Sequence, residues 1–209
     1  MGVYSKVIKR LLDIVFSGFL LIVLSPLFCV IIIMELAIHG KPVFYSQQRA
    51  GRYGKNFLIH KFRSMTNECD EHGVLLPGSR RLTRFGMFIR KTSLDELPEL
   101  FCILKGEMSV IGPRPLLPEY TELYSSRHRR RLLVRPGLAC PWIKKSEAEK
   151  KYRKYTWGVQ FENDVWYVDN VSFFVDVRMF FAIIREVLLP RKDRVDDTRG
   201  KFNGRNLWD

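Results

Sequence analysis

From Ile14 to Met34 the chain runs 21 residues without a charged side chain, and nearly all of them are apolar. As one straight helix this run extends roughly 31 Å, enough for a bilayer core of about 30 Å. Ser25-Pro26 sits at its centre. A proline inside a helix lacks an N–H and clashes with the carbonyl four residues back, here that of Ile22. The Ser25 hydroxyl is placed to satisfy part of the freed backbone. Both flanks are basic: Lys6, Lys9 and Arg10 precede the run, and Lys41, Arg49, Arg52 and Lys55 follow it. Positive charge stays on the cytoplasmic side of a membrane. A straight crossing exports one basic flank, whereas a hairpin that enters, bends at Ser25-Pro26 and returns keeps both inside. The pattern favours the re-entrant hairpin over the crossing, with halves of about a dozen residues that are each too short to span. A secretory signal is a poorer reading, because no small-residue cleavage site follows. Asp13, one turn after Lys9 and Arg10, is expected to pair with either.

Beyond the run the period shortens. Val43–Gln48 and Asn56–Phe62 are strand-like, with Gly51 and Gly54 between them, which predicts a β-hairpin. "GRYGKN" lacks the spacing of a phosphate loop. "NECDEHG", 67–73, is acidic but follows no ligand-spacing rule, so a solvated loop is expected there. In "RLTRFGMFIRK", 81–91, Leu82, Phe85, Phe88 and Ile89 recur at helical spacing among basic residues. Such a stretch suits a membrane surface. "LFCILKGEM" predicts a helix ending at Gly106, which Pro98 either opens or bends. "VIGPRPLLPEY", 110–120, is a stiff proline turn presenting Arg114. One rigidly presented guanidinium suits bidentate phosphate binding; an ordinary proline-rich loop with a solvated arginine is the plainer alternative. "SSRHRRRLLVRPG", 125–137, is a basic run, solvated or facing lipid headgroups. "VSFFVDVRMFFAIIREVLL", 171–189, predicts an apolar helix on the core or the membrane face. The organisation is a membrane anchor over 1–40, one cytosolic domain at the membrane surface over 41–190, and a polar tail over 191–209 expected to be poorly ordered.

Charge narrows the partners. Lys and Arg number 35 against 22 Asp and Glu, a net charge of +13. That favours a phosphate-rich partner: nucleic acid, an anionic membrane or a phosphorylated small molecule. Cys29, Cys69, Cys102 and Cys140 are widely spaced and form no ligand cluster with the four histidines. Reduced thiols are therefore expected, without disulfides or structural zinc.

One acidic pair interrupts this basic chain. "SLDELPEL", 93–100, sets Asp95 beside Glu96, just after Arg90-Lys91. Ser93 and Glu96 have the spacing of a helix-capping box. Acids in a first turn also suit the helix dipole. Alternatively the pair is chemistry, and a helix N-terminus is itself a place where anions bind.

"KFRSM", "FIRKTSLDELPELFCILKGEMSVIGPRP", "RPG" and "FENDVWYV", in this order behind the bent apolar segment, resemble the bacterial sugar transferases. These are the monotopic phosphoglycosyl transferases, and the length of this chain resembles their small form, which carries no added domains. The resemblance covers roughly residues 5–190. It implies an α+β, mostly helical fold with an N-terminal re-entrant membrane hairpin, a small β-hairpin and amphipathic interfacial helices. It implies transfer of a phospho-sugar from a UDP-sugar to a polyprenyl (undecaprenyl) phosphate with release of UMP, at the cytoplasmic face of the bacterial inner membrane. It makes Asp95 the nucleophile and Glu96 the Mg²⁺-associated partner and possible base. The same correspondence gives Lys61, Arg90 and Arg114, and more weakly Arg135, as substrate-binding residues, with Ser25 and Pro26 as the membrane kink. Asp95 and Glu96 are the candidate Mg²⁺ ligands, and hard carboxylate oxygens beside phosphates suit that ion. No nucleic acid is expected as a partner. After "RPG" many relatives continue with "xTGxxQVxGR", whereas residues 138–158 here read "LACPWIKKSEAEKKYRKYTWG". That difference bears on the identity of the donor sugar. The rival function is a non-catalytic basic module that holds anionic lipid or nucleic acid.

Overall fold

The computed structural model describes residues 2–140, 156–188 and 200–207. Helices α1 (Lys9–Val23) and α2 (Ser25–Ile38) meet at a 62° bend. Leu24 leaves helical geometry at φ −89°, ψ 2°, and Pro26 lies in the first turn of α2, where a missing N–H breaks no bond. The Ser25 hydroxyl donates to the Ile22 carbonyl at 2.7 Å, the group that proline strands. No single described helix is long and apolar enough to cross a membrane, though the bent pair is, by length and composition. Val15, Phe19, Ile22, Val30 and Ile33 are exposed on this pair. An exposed apolar surface of that extent marks an interaction with lipid or protein.

The other face of α1 is built into the rest of the protein. Leu20 and Leu21 pack on a core made by Phe57, Ile59, Leu100, Cys102, Ile103 and Met108. Asp13 is buried and accepts from the Ser109 hydroxyl at 3.0 Å and the Val110 N–H at 2.9 Å. It does not ion-pair with its helical neighbours, contrary to the expectation from spacing. Lys9 turns instead to Asp176 at 2.7 Å, and Arg10 donates to the carbonyls of Ile103 and Leu104. Two buried backbone N–H and hydroxyl donors beside Asp13 solvate it better than a flexible ion pair at a surface would.

Strands β1 (Phe44–Ala50) and β2 (Asn56–Phe62) form the expected antiparallel hairpin, with Arg49 opposite Phe57 and Gln47 opposite Ile59. Residues 67–73 form an exposed loop, as their polarity predicts. A short helix α3 (Gly78–Arg81) leads to α4 (Arg84–Lys91), which Thr83 caps by accepting from the Gly86 N–H. Gly86 is required there: a Cβ would stand 1.9 Å from the Ser64 carbonyl oxygen. Helix α5 (Glu99–Lys105) begins after Pro98, which serves as its N-cap residue. Strands β3 (Ser109–Ile111) and β4 (Gly137–Ala139) then make a second, parallel two-stranded sheet that no periodicity announces. Gly112 and Gly137 touch backbone to backbone; a Cβ on Gly137 would lie 2.1 Å from the Gly112 nitrogen.

Helices α6 (Trp157–Asn170) and α7 (Phe173–Leu188) close the fold. Asp176 on α7 accepts from Tyr167 at 2.7 Å and from Tyr4 at 2.6 Å as well as from Lys9, so one carboxylate ties three segments together. The tail departs from expectation. Residues 189–199 lie outside the described residues, but Gly200–Leu207 packs against the domain. Phe202 is 3% exposed among Tyr120, Tyr124, Trp157 and Phe161, and the Trp157 indole donates to the Gly200 carbonyl. The aromatic ring buried by Phe202 outweighs the polarity of its neighbours, which composition alone could not show.

Candidate active site

The β-hairpin offers one face to the site. Alternate residues of a strand share a face, so Lys61 follows Phe57 and Ile59 beyond the edge of the core. Its ammonium reaches Glu96 at 2.5 Å and Glu99 at 3.3 Å. Arg49, across the hairpin from Phe57, occupies the same face.

Asp95 and Glu96 sit on a single 3₁₀ turn, Leu94–Glu96, ahead of α5. Ser93 enters it at φ 58°, a left-handed conformation unusual for a residue with a side chain. The capping box is therefore not formed. Ser93 makes no side-chain cap, and Glu96 turns outward to Lys61 and Arg114 rather than back to the Ser93 N–H. Two cations offer Glu96 more than one backbone donor does.

Arg90 leaves the last turn of α4 and donates from Nε to the Ser64 hydroxyl at 2.7 Å. The close contact of Gly86 with Ser64 fixes that geometry. Arg114 stands on the proline turn and ion-pairs with Glu96. Its backbone carbonyl accepts from the Arg131 guanidinium at 2.7 Å. Arg131 is 3% exposed, pairs with Asp164 of α6 at 2.9 Å, and donates to the Tyr124 hydroxyl at 2.9 Å. Its place in the basic run 125–137 predicts a solvated or lipid-facing side chain. The structure corrects this: its 3₁₀ segment, His128–Leu133, repeats every three residues, so His128 and Arg131 turn inward while Arg129 and Arg130 stay exposed.

The two adjacent carboxylates differ in environment. Burial, and then the charge of Glu96, raise the Asp95 carboxyl above its ordinary value, with Lys61 and Arg90 opposing. Asp95 takes no ion pair among the described residues, whereas Glu96 takes two. Burial also pushes Glu96 up, but Arg114 and Lys61 outweigh it and hold the carboxyl below its usual range. Glu99 is buried and raised, mainly by burial. Sequence reading missed Glu99; its only local signal is its place three residues after Glu96.

Lys61, Glu96 and Arg114 are thus brought together, and the charges of Lys61 and Arg90 both act on Asp95. Arg135 is not part of that contact set: its Nε donates to the Gly106 carbonyl at 2.8 Å, beside Arg10 at the end of α5. Burial, with Arg10 and Arg52 nearby, pushes its guanidinium down. Ser25 and Pro26 form the bend described above. Residues 141–155, most of the stretch that departs from the relatives' pattern, lie outside the described residues. Among the described residues no three His, Cys, Asp or Glu side chains gather as a metal cage. Mg²⁺ commonly takes one or two carboxylates and completes its shell with substrate phosphates and water. The adjacent carboxylates of Asp95 and Glu96, with both Glu96 ion pairs on Oε1, fit that arrangement.

The bacterial sugar transferase family matches residues 4–190, and the chain belongs to it. Among its relatives is a sugar transferase of Bacillus subtilis, EpsL, 44% identical over 187 residues that cover 88% of each chain. The exopolysaccharide production protein ExoY of Rhizobium meliloti is 35% identical, over 88% of this chain and 86% of its own. An undecaprenyl-phosphate galactose phosphotransferase of Salmonella typhimurium is also 35% identical, and there the match spans 88% of this chain but 41% of the relative.

Proposed function

We propose that the protein transfers a sugar phosphate from a UDP-sugar to undecaprenyl phosphate in two steps through Asp95. The observation that carries this reading is the split between the carboxylates. Glu96 is held by two cations that keep its carboxyl below the usual range, while Asp95 beside it has no ion pair among the described residues. In the first step an Asp95 carboxylate oxygen attacks the sugar-bearing phosphorus. The bond from that phosphorus to the bridging oxygen breaks, and UMP leaves with the electron pair. In the second step an oxygen of undecaprenyl phosphate attacks the same phosphorus and the Asp95 carboxylate departs. Covalent catalysis divides one hard transfer into two. Relatives named as an undecaprenyl-phosphate galactose phosphotransferase and a UDP-N-acetylgalactosamine-undecaprenyl-phosphate N-acetylgalactosaminephosphotransferase support the acceptor and the reaction class.

Each neighbour has a part. Lys61, Arg90 and Arg114 neutralise phosphate oxygens as charge develops. Glu96 orients Lys61 and Arg114; a carboxyl held below its usual range is a poor proton acceptor near neutral pH, so positioning is its role rather than base catalysis. Asp95 and Glu96 would hold Mg²⁺, which supplies charge neutralisation at the diphosphate. UMP release from a panel of UDP-sugars, with and without undecaprenyl phosphate, tests the reaction. A basic lipid- or nucleic-acid-binding module releases none.

Two expected outcomes follow from the site. In the protein free of Mg²⁺ and substrate, burial and the charge of Glu96 raise the Asp95 carboxyl, so an NMR titration should find it above the ordinary aspartate value of about 3.9. Titration at or below that value would contradict the environment assigned to Asp95. Arg114→Ala removes one charge-assisted phosphate contact and lowers kcat/KM roughly ten- to a hundredfold, about 1.5–3 kcal/mol. Because Pro113 and Pro115 hold the backbone, the melting temperature stays nearly unchanged. Arg114→Lys recovers part, since an ammonium lacks the bidentate fork. A sharp fall in melting temperature with full activity in the folded fraction would make Arg114 a strut.

We also infer that α1 and α2 enter and leave the inner membrane on its cytoplasmic face. The bend, the exposed apolar side chains and the basic flanks support this. Single cysteines near Gly2 and Gly40, in a chain without native thiols, should both resist an impermeant thiol reagent applied to intact cells. Labelling of one alone would mean a crossing.

A further inference from the structure

Arg49 belongs by sequence to the basic flank behind the apolar run, where its charge has only a topological meaning. The hairpin places it elsewhere. It shares a face with Lys61, and the two line one pocket with Ile59, Glu99, Arg114 and Pro115. The β1 strand that carries it is tied to the proline turn, because the Ala50 N–H donates to the Leu116 carbonyl at 2.9 Å.

The three cations of this pocket are not equally engaged. Lys61 and Arg114 both bind Glu96, and Lys61 also binds Glu99. Arg49 has no ion pair among the described residues. Its Nη2 donates to Gln47 at 2.7 Å, and its Nε is buried without a partner. Burial, and then the charge of Arg114, push its guanidinium down. A buried guanidinium N–H with no acceptor is unfavourable in the free protein, and an incoming oxyanion relieves it. Phosphate is the anion whose oxygens match the guanidinium fork.

We propose that Arg49 is a phosphate-binding residue of this pocket, completing a set with Lys61 and Arg114. The proposal rests on the reaction given above for its physiological ligand, which is either the diphosphate of the donor or the phosphate of the polyprenyl acceptor. The test uses Arg49→Ala and Arg49→Lys in the full chain. Three quantities are read: the melting temperature, UMP release in the absence of acceptor, and transfer at varied undecaprenyl phosphate. Arg49→Ala should raise the KM for one phosphate substrate roughly ten- to a hundredfold. Arg49→Lys should recover part of it.

A rise seen in the acceptor-free step assigns Arg49 to the donor diphosphate. A rise seen only at varied undecaprenyl phosphate assigns it to the acceptor. Constants within twofold of wild type for both substrates would overturn the proposal, as would a lowered melting temperature with wild-type constants in the folded fraction. If the alanine variant does not fold, the lysine variant carries the same comparison. Binding of inorganic pyrophosphate by calorimetry separates this proposal from the reaction. If wild type releases no UMP from any donor, weaker pyrophosphate binding by Arg49→Lys still supports the anion site, and unchanged binding removes it.

Discussion

Replacing Asp95 with asparagine should lower turnover by at least about a thousandfold while leaving the fold intact. An amide is not a nucleophile towards phosphorus, and the substitution keeps the shape of the side chain. Glu96 retains Lys61 and Arg114, so the surrounding charge network stays in place. The melting temperature should match or exceed that of wild type at neutral pH. The sign follows from linkage: a carboxyl raised above its unfolded value is a net burden on the fold when ionised, and the burden lifts as pH falls through the folded pKa. Asparagine removes that burden at every pH. UMP release and a thermal melt of the same preparation check both halves. Activity within tenfold of wild type would remove the covalent route.

Breaking the Arg131–Asp164 pair should have the largest effect on stability. Both side chains are almost fully buried, and Arg131 also holds the Arg114 carbonyl and the Tyr124 hydroxyl. Arg131→Met or Asp164→Asn takes the counter-charge of this pair away from the buried side chain that remains. That costs about 3–5 kcal/mol, or roughly 6–20 °C in melting temperature for a chain of this size. Arg131→Met with Asp164→Leu should recover much of the loss, because removing both charges is close to neutral. Arg131→Lys should melt less severely yet still raise the KM for the donor, since a compact ammonium lacks the planar fork whose separate nitrogens reach Asp164, Tyr124 and the Arg114 carbonyl. A change below about 1 kcal/mol in the single variants would show that water reaches the pair.

What the sequence disclosed was local. The bend at Ser25-Pro26 follows from covalent geometry within five residues, and the Ile22 carbonyl it frees meets the Ser25 hydroxyl as spacing predicts. The β1–β2 pair follows from strand propensity around two glycines. Lys61, Glu96 and Arg114 lie in short motifs, and the fold brings them into contact. What stayed hidden depends on contacts far apart in the chain. Arg131 meets Asp164 across 33 positions, and a run of arginines does not reveal which one a 3₁₀ turn will bury. Asp13 finds its donors 96 and 97 residues away, so its helical neighbours were the wrong partners to consider. Ser93 has the side chain of a cap but a backbone that turns left-handed to set Asp95 and Glu96 ahead of α5. Phe202 is one of two aromatic residues in a polar tail, and its burial depends on a cluster drawn from Tyr120 to Phe161.

The most direct test of the covalent account is the intact mass of the protein after mixing with its UDP-sugar in the absence of undecaprenyl phosphate. Wild type should gain the mass of one sugar phosphate as UMP appears, and should lose it again when undecaprenyl phosphate is added. The Asp95→Asn variant should gain nothing. UMP release by wild type without any added mass, or an adduct that persists in Asp95→Asn, would contradict Asp95 as the residue that carries the phospho-sugar.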